Sequence, residues 1–310
     1  MTEAKPPSAS PAPSAPSAGG SKTVLQLITV TTQLFAKHNV DSPRLEAELL
    51  LAHVLGVERI QLYVRFDQPL AEAEVARFRE LVKRRGRHEP VHYILGHREF
   101  WTIDLQVERG VLIPRPDTEC LVEEAVAYLR QHPTATLVAD VGTGSGAIAI
   151  ALAKELPTLT VFAGDLAAVP LRVAADNATR NGVAERVTVL QADLLKPLAE
   201  AAGRPFDVLV SNPPYIAEHE LATLEPHVRD WEPREALVGG ADGLDVVRAL
   251  VAQLASGLAP GGAAFIEIGS GQGEAARQLL LPHFAEARIR KDYAGLDRVI
   301  VATGYRTAPD

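Results

Sequence analysis

After Pro116, short runs rich in aliphatic and β-branched residues alternate with longer amphipathic segments, and no other feature of the chain restricts its fold as strongly. The apolar runs predict strands at 136–141, 159–164, 186–191, 206–211, 262–268, 284–291 and 297–303. Apolar residues three and four apart predict helices at 117–131, 146–156, 167–181, 243–258 and 272–281. Strands joined through helices run parallel, because each crossover carries the chain back over a face of the sheet. Only 292–296 separates the last two strands, too short for a crossover, so that pair is expected to be antiparallel. The expected fold class is α/β, a Rossmann-like, seven-stranded and mostly parallel sheet with an antiparallel last strand.

Ahead of this lie three further segments. Residues 1–21 scatter five prolines among Ser and Ala and carry too little large apolar surface to offset the entropy of ordering them, so a disordered tail is expected. The tail has no Arg and no helical stripe, unlike an Arg-rich amphipathic transit peptide. Over 22–88 helical spacing recurs in Val24, Leu25, Ile28, Leu34 and Phe35, then in Leu45, Leu49, Leu50 and Val54, then in Val75, Phe78, Leu81 and Val82. A small helical bundle follows, with Asp41 or Ser42 capping a helix that Pro43 begins. The run Lys83, Arg84, Arg85, Arg87 is open to two readings, contact with a negatively charged partner and, favoured here, cations that suit the dipole of a helix C-terminus. In the linker 89–115, alternating apolar and polar residues over 91–105, punctuated by Gly96, predict a two-stranded hairpin, and 116–310 forms the catalytic domain.

With 31 Lys and Arg against 39 Asp and Glu, the net charge of −8 works against a surface that grips a phosphate backbone. No apolar run approaches the roughly 20 residues needed to cross a bilayer, and no basic stretch leads into an apolar signal core, so a cytoplasmic monomer without membrane partners is expected. The single cysteine, Cys120, has no internal disulfide partner and no zinc spacing. His88, His92 and His97 form no i, i+4 pair with a third ligand in reach, and no metal is expected.

Chemistry concentrates at two strand ends. Between the strand ending near Val141 and the helix starting near Ala147 runs Gly142, Thr143, Gly144, Ser145, Gly146, where glycines permit positive φ and close backbone approach, and the helix start offers free amides. Its G-x-G-x-G spacing differs from the dinucleotide fingerprint G-x-G-x-x-G. Asp165 ends the next strand, placed to accept hydrogen bonds from ribose hydroxyls, which points to an adenosine-bearing ligand. Asp193, or the neighbouring Leu194, would border the adenine; a turn or helix cap before Pro197 is the structural alternative for Asp193.

The strand at 206–211 then runs into Asn212, Pro213, Pro214, Tyr215. Two prolines stiffen this corner and supply no amides of their own. The Asn212 side-chain oxygen and the Pro213 carbonyl are placed to accept the N–H bonds of a planar amide or amine whose lone pair is delocalised, with Tyr215 stacking on it. Hydride transfer has no use for such a clamp, so S-adenosylmethionine is preferred to NAD as the cofactor.

The chain resembles the release factor N5-glutamine methyltransferases over about residues 22–305. Beyond the glycine turn and Asn212 to Tyr215, the likeness rests on Pro90-Val-His-Tyr-Ile-Leu-Gly96 with Arg98-Glu-Phe100, and on Leu112-Ile-Pro-Arg-Pro-Asp-Thr-Glu119. Glu232-Pro233, Ala236-Leu-Val-Gly-Gly-Ala-Asp-Gly-Leu-Asp245, Pro260-Gly-Gly262 and Glu267-Ile-Gly269 complete it. The resemblance implies a class I methyltransferase fold and transfer of a methyl from S-adenosylmethionine to the glutamine of the Gly-Gly-Gln loop in peptide chain release factors. It implies an N-terminal helical domain that helps recognise the release factor, cofactor contacts at Gly142 to Gly146, Asp165, Leu194 and Asn212, and substrate contacts at Asn212 to Tyr215. Leu194 departs from relatives that carry an aromatic residue there. Phe100 and Arg115 are expected at the substrate mouth. Two other readings share parts of this pattern: an adenine N6-methyltransferase acting on nucleic acid, which also clamps an exocyclic amine, and a binding module that retains the fold without chemistry.

Overall fold

The computed structural model describes residues 22–307, so the expectation of a disordered tail falls outside the described residues. Its contacts divide the chain between Gly86 and Arg87 into two units.

In the first unit, α1 (Val24–Lys37), α2 (Pro43–Leu55) and α3 (Glu72–Arg85) pack together, with a 3-10 segment, Arg59–Arg65, between α2 and α3. Thr23 and Gln26 start α1 with a reciprocal capping box. The buried stripe of α1 is Val24, Leu27, Ile28, Thr31 and Phe35. Leu25 and Leu34, expected in it, are exposed, as is Leu45 of α2. Each sits one position off its stripe, a rotation of about 100° around a helix of 3.6 residues per turn. Ser42 does precede Pro43 at the start of α2 but makes no side-chain cap bond. Arg85 is not a solvated cation of the helix end: it is buried and pairs with Glu46.

The second unit opens with α4 (Val91–Leu95), ended by Gly96 at φ 80°, and a hairpin of β1 (His97–Phe100) and β2 (Ile103–Gln106). The hairpin expected over 91–105 therefore starts six residues later; its first part is a helical turn, because Val91, Tyr93 and Ile94 bury together when wound rather than extended.

The main sheet follows as α5 (Glu119–Gln131), β3 (Leu137–Val141), α6 (Ala147–Glu155), β4 (Thr160–Asp165), α7 (Ala168–Arg180), β5 (Val187–Gln191), α8 (Lys196–Ala202), β6 (Phe206–Ser211), α9 (Pro226–Arg229), α10 (Asp245–Gly257), β7 (Leu258–Glu267), α11 (Gly273–Leu280), β8 (Phe284–Lys291) and β9 (Asp297–Tyr305). Seven strands lie in the order β5-β4-β3-β6-β7-β9-β8, and β9 inserts antiparallel between β7 and β8. Alternate strand residues point to opposite faces. Val138, Val208, Val210, Phe265 and Val301 pack under α5 and α6, while Ala139, Leu209, Ala264, Ile266 and Ile300 pack under α8, α10 and α11. The α8 segment was not foreseen: at seven residues it is too short for a periodic signal. β7 starts before the expected 262, with a register shift across Pro260-Gly-Gly262.

Candidate active site

The register of β3 and β6 pairs Val141 with Ser211, so Gly142 and Asn212 leave neighbouring strands side by side. Here the strand order turns, since β3 leads to β4 on one side and β6 to β7 on the other, and open α/β sheets take their ligands at such switch points.

Gly142, Gly144 and Gly146 all have positive φ, 73°, 57° and 83°. The amides of Gly142 and Thr143 both donate to the Gly164 carbonyl at 2.9 Å, lashing the turn to the end of β4. A Cβ on Gly146 would stand 2.9 Å from Ile150 Cδ1 and 3.3 Å from Ala174, so this glycine lets α6 close on α7. Beneath the turn Asp140 is fully buried and accepts from the Thr143 hydroxyl at 2.7 Å and the Ala149 amide at 3.2 Å. Burial pushes its carboxyl up to about 6, against the pull of those two bonds. Thr143 and Ser145 are themselves buried, which leaves backbone as the face the turn offers.

Asp165 ends β4 and accepts from Gly144 N and Ala167 N, both at 3.1 Å. A carboxylate has about four acceptor positions, so two remain for hydroxyl donors. Asp193 is exposed in a bend after β5 and is not the cap of α8, a position held by Leu195. Leu194 is half-buried against the core beneath α8, with a left-handed φ of 63°.

The Asn-Pro-Pro-Tyr corner is held from several sides. Ser211 Oγ donates to the Val141 carbonyl at 2.7 Å, and Asn212 Nδ2 donates to Thr118 Oγ1 at 3.1 Å. The Tyr215 hydroxyl reaches Glu267 Oε1 at 3.4 Å, and Gln272 Nε2 donates to the Tyr215 carbonyl at 2.8 Å. Cβ atoms built on Gly239 and Gly243 would lie 2.2 Å from the Pro214 carbonyl oxygen and 2.1 Å from that of Tyr215. The glycines of the 236–245 block thus let a second backbone press directly on the proline corner.

Asn212, Tyr215, Arg115, Leu112, Val228 and Leu237 line a cavity of about 210 Å³. Arg115 donates to Glu232 at 2.6 Å, and the Glu232 side chain, fully buried, also accepts from Ile113 N at 3.2 Å. Burial raises the Glu232 pKa and Arg115 opposes the rise. Phe100 is not at this mouth: it is 2% exposed in the core with Ile103, Leu105 and Leu121, because the short hairpin turns its apolar face inward.

Thr118, Glu232 and Glu267 lie in the blocks that carry the family resemblance, but the sequence assigned none of them a place at the site. Glu267 also closes the apolar run from Ala263 to Ile266, a carboxylate where burial is expected; Thr118 and Glu232 stand out only as members of their motifs. Burial lifts the Glu267 carboxyl to about 7 and, with Glu267 next to it, raises the Tyr215 phenol. Among the described residues, no cluster of His, Cys, Asp or Glu is arranged to hold a metal ion, and no helix is long and apolar enough to cross a membrane.

Residues 26–96 match the family model for the PrmC N-terminal domain, and 118–227 match the methyltransferase small domain. A release factor glutamine methyltransferase of Geobacter sulfurreducens is 43% identical over 279 residues, covering 90% of this chain and 95% of that protein. One from Rhodopirellula baltica is 41% identical over 284 residues, again 90% of this chain and 95% of the relative. The catalytic domain of hMettl16, solved with the MAT2A 3′UTR hairpin 6, superposes with a TM-score of 0.50 over 66% of this chain and 78% of that one; at 16% identity this is a likeness of fold alone. With such relatives aligned along nearly their whole length, and both parts of the chain matched, this protein belongs to the release factor glutamine methyltransferase family.

Proposed function

We propose that this protein transfers a methyl group from S-adenosylmethionine to the side-chain amide nitrogen of the glutamine in the Gly-Gly-Gln motif of peptide chain release factors. The observation that carries the reading is the placement of Asn212 beside Gly142, with Tyr215 on the same cavity. The residues fit the cofactor. Three positive-φ glycines present backbone at the turn, and Asp165 keeps acceptor capacity for a ribose diol beside it.

When bound, S-adenosylmethionine supplies an electrophilic methyl carbon. An amide nitrogen is a weak nucleophile, so the protein's task is alignment; holding reacting atoms about 3 to 3.5 Å apart supplies a large share of the acceleration. Asn212 Oδ1 and the Pro213 carbonyl accept the two N–H bonds of the glutamine amide, which fixes the nitrogen's face, and Tyr215 stacks on the amide plane. The prolines keep both acceptors from relaxing away. No base is required before attack, since the nitrogen's surplus proton becomes acidic once the methyl has moved. Leu112, Val228 and Leu237 give the cavity an apolar wall that limits water.

Incubation with methyl-labelled S-adenosylmethionine and equal amounts of a release factor and duplex DNA tests the reading. Label in the release factor alone is expected; label in DNA alone would instead assign the chain to adenine N6 chemistry.

A further inference from the structure

Gln272 occupies the N-cap of α11, yet its side chain makes no cap bond. Short polar side chains are preferred at an N-cap because their oxygen reaches the free amides of the first turn. The longer Gln272 side chain turns away from its own helix and spends its amide on three other backbone groups. Its Oε1 accepts from Gly269 N at 2.8 Å, and its Nε2 donates to the carbonyls of Tyr215 at 2.8 Å and Asp242 at 3.0 Å.

A primary amide has two protons to give, and both are used here. The arrangement has a single polarity, since a flipped amide would set N–H against the Gly269 N–H and oxygen against two carbonyls. Three segments meet at this one group: the proline corner, the 236–245 block and the turn after β7. Two glycines leave it room. A Cβ on Gly243 would stand 2.3 Å from Gln272 Nε2, and one on Gly269 would stand 3.0 Å from Oε1.

The Gly269 Cβ would also lie 3.5 Å from Tyr215 Cδ2, so the edge of the Tyr215 ring runs along the backbone that Gln272 holds. Tyr215 is therefore gripped at its carbonyl by the Gln272 amide and backed at its ring by that amide's other partner. At its far end the hold is looser: the hydroxyl reaches Glu267 at 3.4 Å, longer than an ordinary O–H···O bond. A ring carried on a backbone pivot amplifies any rotation of that backbone, so the grip at the carbonyl decides where the ring face lies.

We propose that Gln272 is a positioning residue for methyl transfer, one that fixes the Tyr215 ring at the substrate cavity by tying its carbonyl to Gly269 and Asp242. This rests on the amide-methylating reading above and deepens it. The cavity is lined by Tyr215, Ile216 and Leu237, from the two segments that Gln272 joins, and not by Gln272 itself. Its action is on the ring that stacks against the substrate amide.

The test is the single-turnover rate of methyl transfer at saturating release factor and S-adenosylmethionine, with cofactor affinity and unfolding midpoint measured alongside. Gln272→Met keeps the length of the side chain and loses all three bonds. Gln272→Glu keeps the shape and turns an oxygen on two carbonyls. Both are expected to slow transfer roughly 10- to 100-fold, as displacements of up to about 1 Å in a reacting geometry do, with cofactor affinity unchanged. Gln278→Met, exposed on the same helix, is the control and is expected to keep the rate.

A mutant cycle with Tyr215→Ala separates positioning from general support of the fold. Asn212 and the Pro213 carbonyl remain in that background, so residual transfer is read over long incubation. Once the ring is gone, Gln272→Met should slow transfer by no more than about 2-fold further, the scatter of independent sites. An unchanged rate in Gln272→Met, or the same loss with and without the ring, overturns the proposal. Should Gln272→Met fail to fold, Gln272→Glu takes its place in the cycle and the same two outcomes decide. Absence of transfer by the unsubstituted protein would instead refute the methylation reading itself.

Discussion

Gly239→Ala probes whether the placement of the proline corner, rather than its mere presence, produces the rate. The added Cβ would lie 2.2 Å from the Pro214 carbonyl oxygen and 2.7 Å from that of Gly243. Both are backbone atoms without a rotamer to change. Restoring ordinary contact at 3.4 Å demands a displacement of 1.2 Å along the first of these directions. The corner carries Asn212 and the Pro213 carbonyl within two residues of the displaced atom, and a misplacement of about 1 Å in a reacting geometry costs on the order of 100-fold. The stability cost is that of overpacking, about 1–3 kcal/mol. Gly271→Ala is the matched control, since nothing lies within 4 Å of a Cβ there and its φ is not positive. The assay is single-turnover methyl transfer together with calorimetric cofactor titration. We expect Gly239→Ala to lose rate on the order of 100-fold with near-normal cofactor affinity, because the glycine turn lies on a separate loop. Full activity in Gly239→Ala would refute the claim that the 236–245 backbone fixes the corner.

Other perturbations separate the remaining parts of the site. Asp165→Ala is expected to weaken S-adenosylmethionine binding roughly 10- to 100-fold by removing charge-assisted bonds, read by calorimetry. Asp140 has its carboxyl raised on folding from 3.8 to about 6, so its native form holds a proton that the unfolded form gives up and stability drains as pH rises through that window. Relative to Asp140→Asn, the unsubstituted protein should therefore lose about 2 kcal/mol between pH 4 and 6, measured by denaturant unfolding; no difference between the two would contradict the burial argument. Arg115→Ala leaves Glu232 buried without its cation and should destabilise by about 3 kcal/mol. Arg115→Met with Glu232→Leu should recover most of that, and equal unfolding midpoints for the single and double variants would count against a buried pair.

The sheet was legible in the sequence because its period-2 and 3.6-residue patterns report local burial directly. Asn212 and the glycine turn were legible because proline and glycine signal unusual backbone in themselves. The side chains that hold this corner were not. Thr118 and Glu267 lie 94 and 52 residues from the side chains they hold, and only the sheet brings them together. Phe100 misled for a related reason: an aromatic residue beside a motif looks like a platform, but a four-residue strand has one buried face and Phe100 points into it. Leu25 and Leu34 misled because an apolar residue adjoining a helical stripe is indistinguishable from one within it until packing fixes the rotation.

The account's central claim is that Asn212 and the Pro213 carbonyl orient a glutamine amide for attack on a sulfonium methyl. Tandem mass spectrometry of a release factor after incubation with this protein and S-adenosylmethionine tests it most directly, with Asn212→Ala run in parallel. One added methyl on the glutamine of the Gly-Gly-Gln motif, lost with Asn212→Ala, is the predicted result. An unmodified glutamine, or a methyl that persists in Asn212→Ala at the same rate, would contradict it.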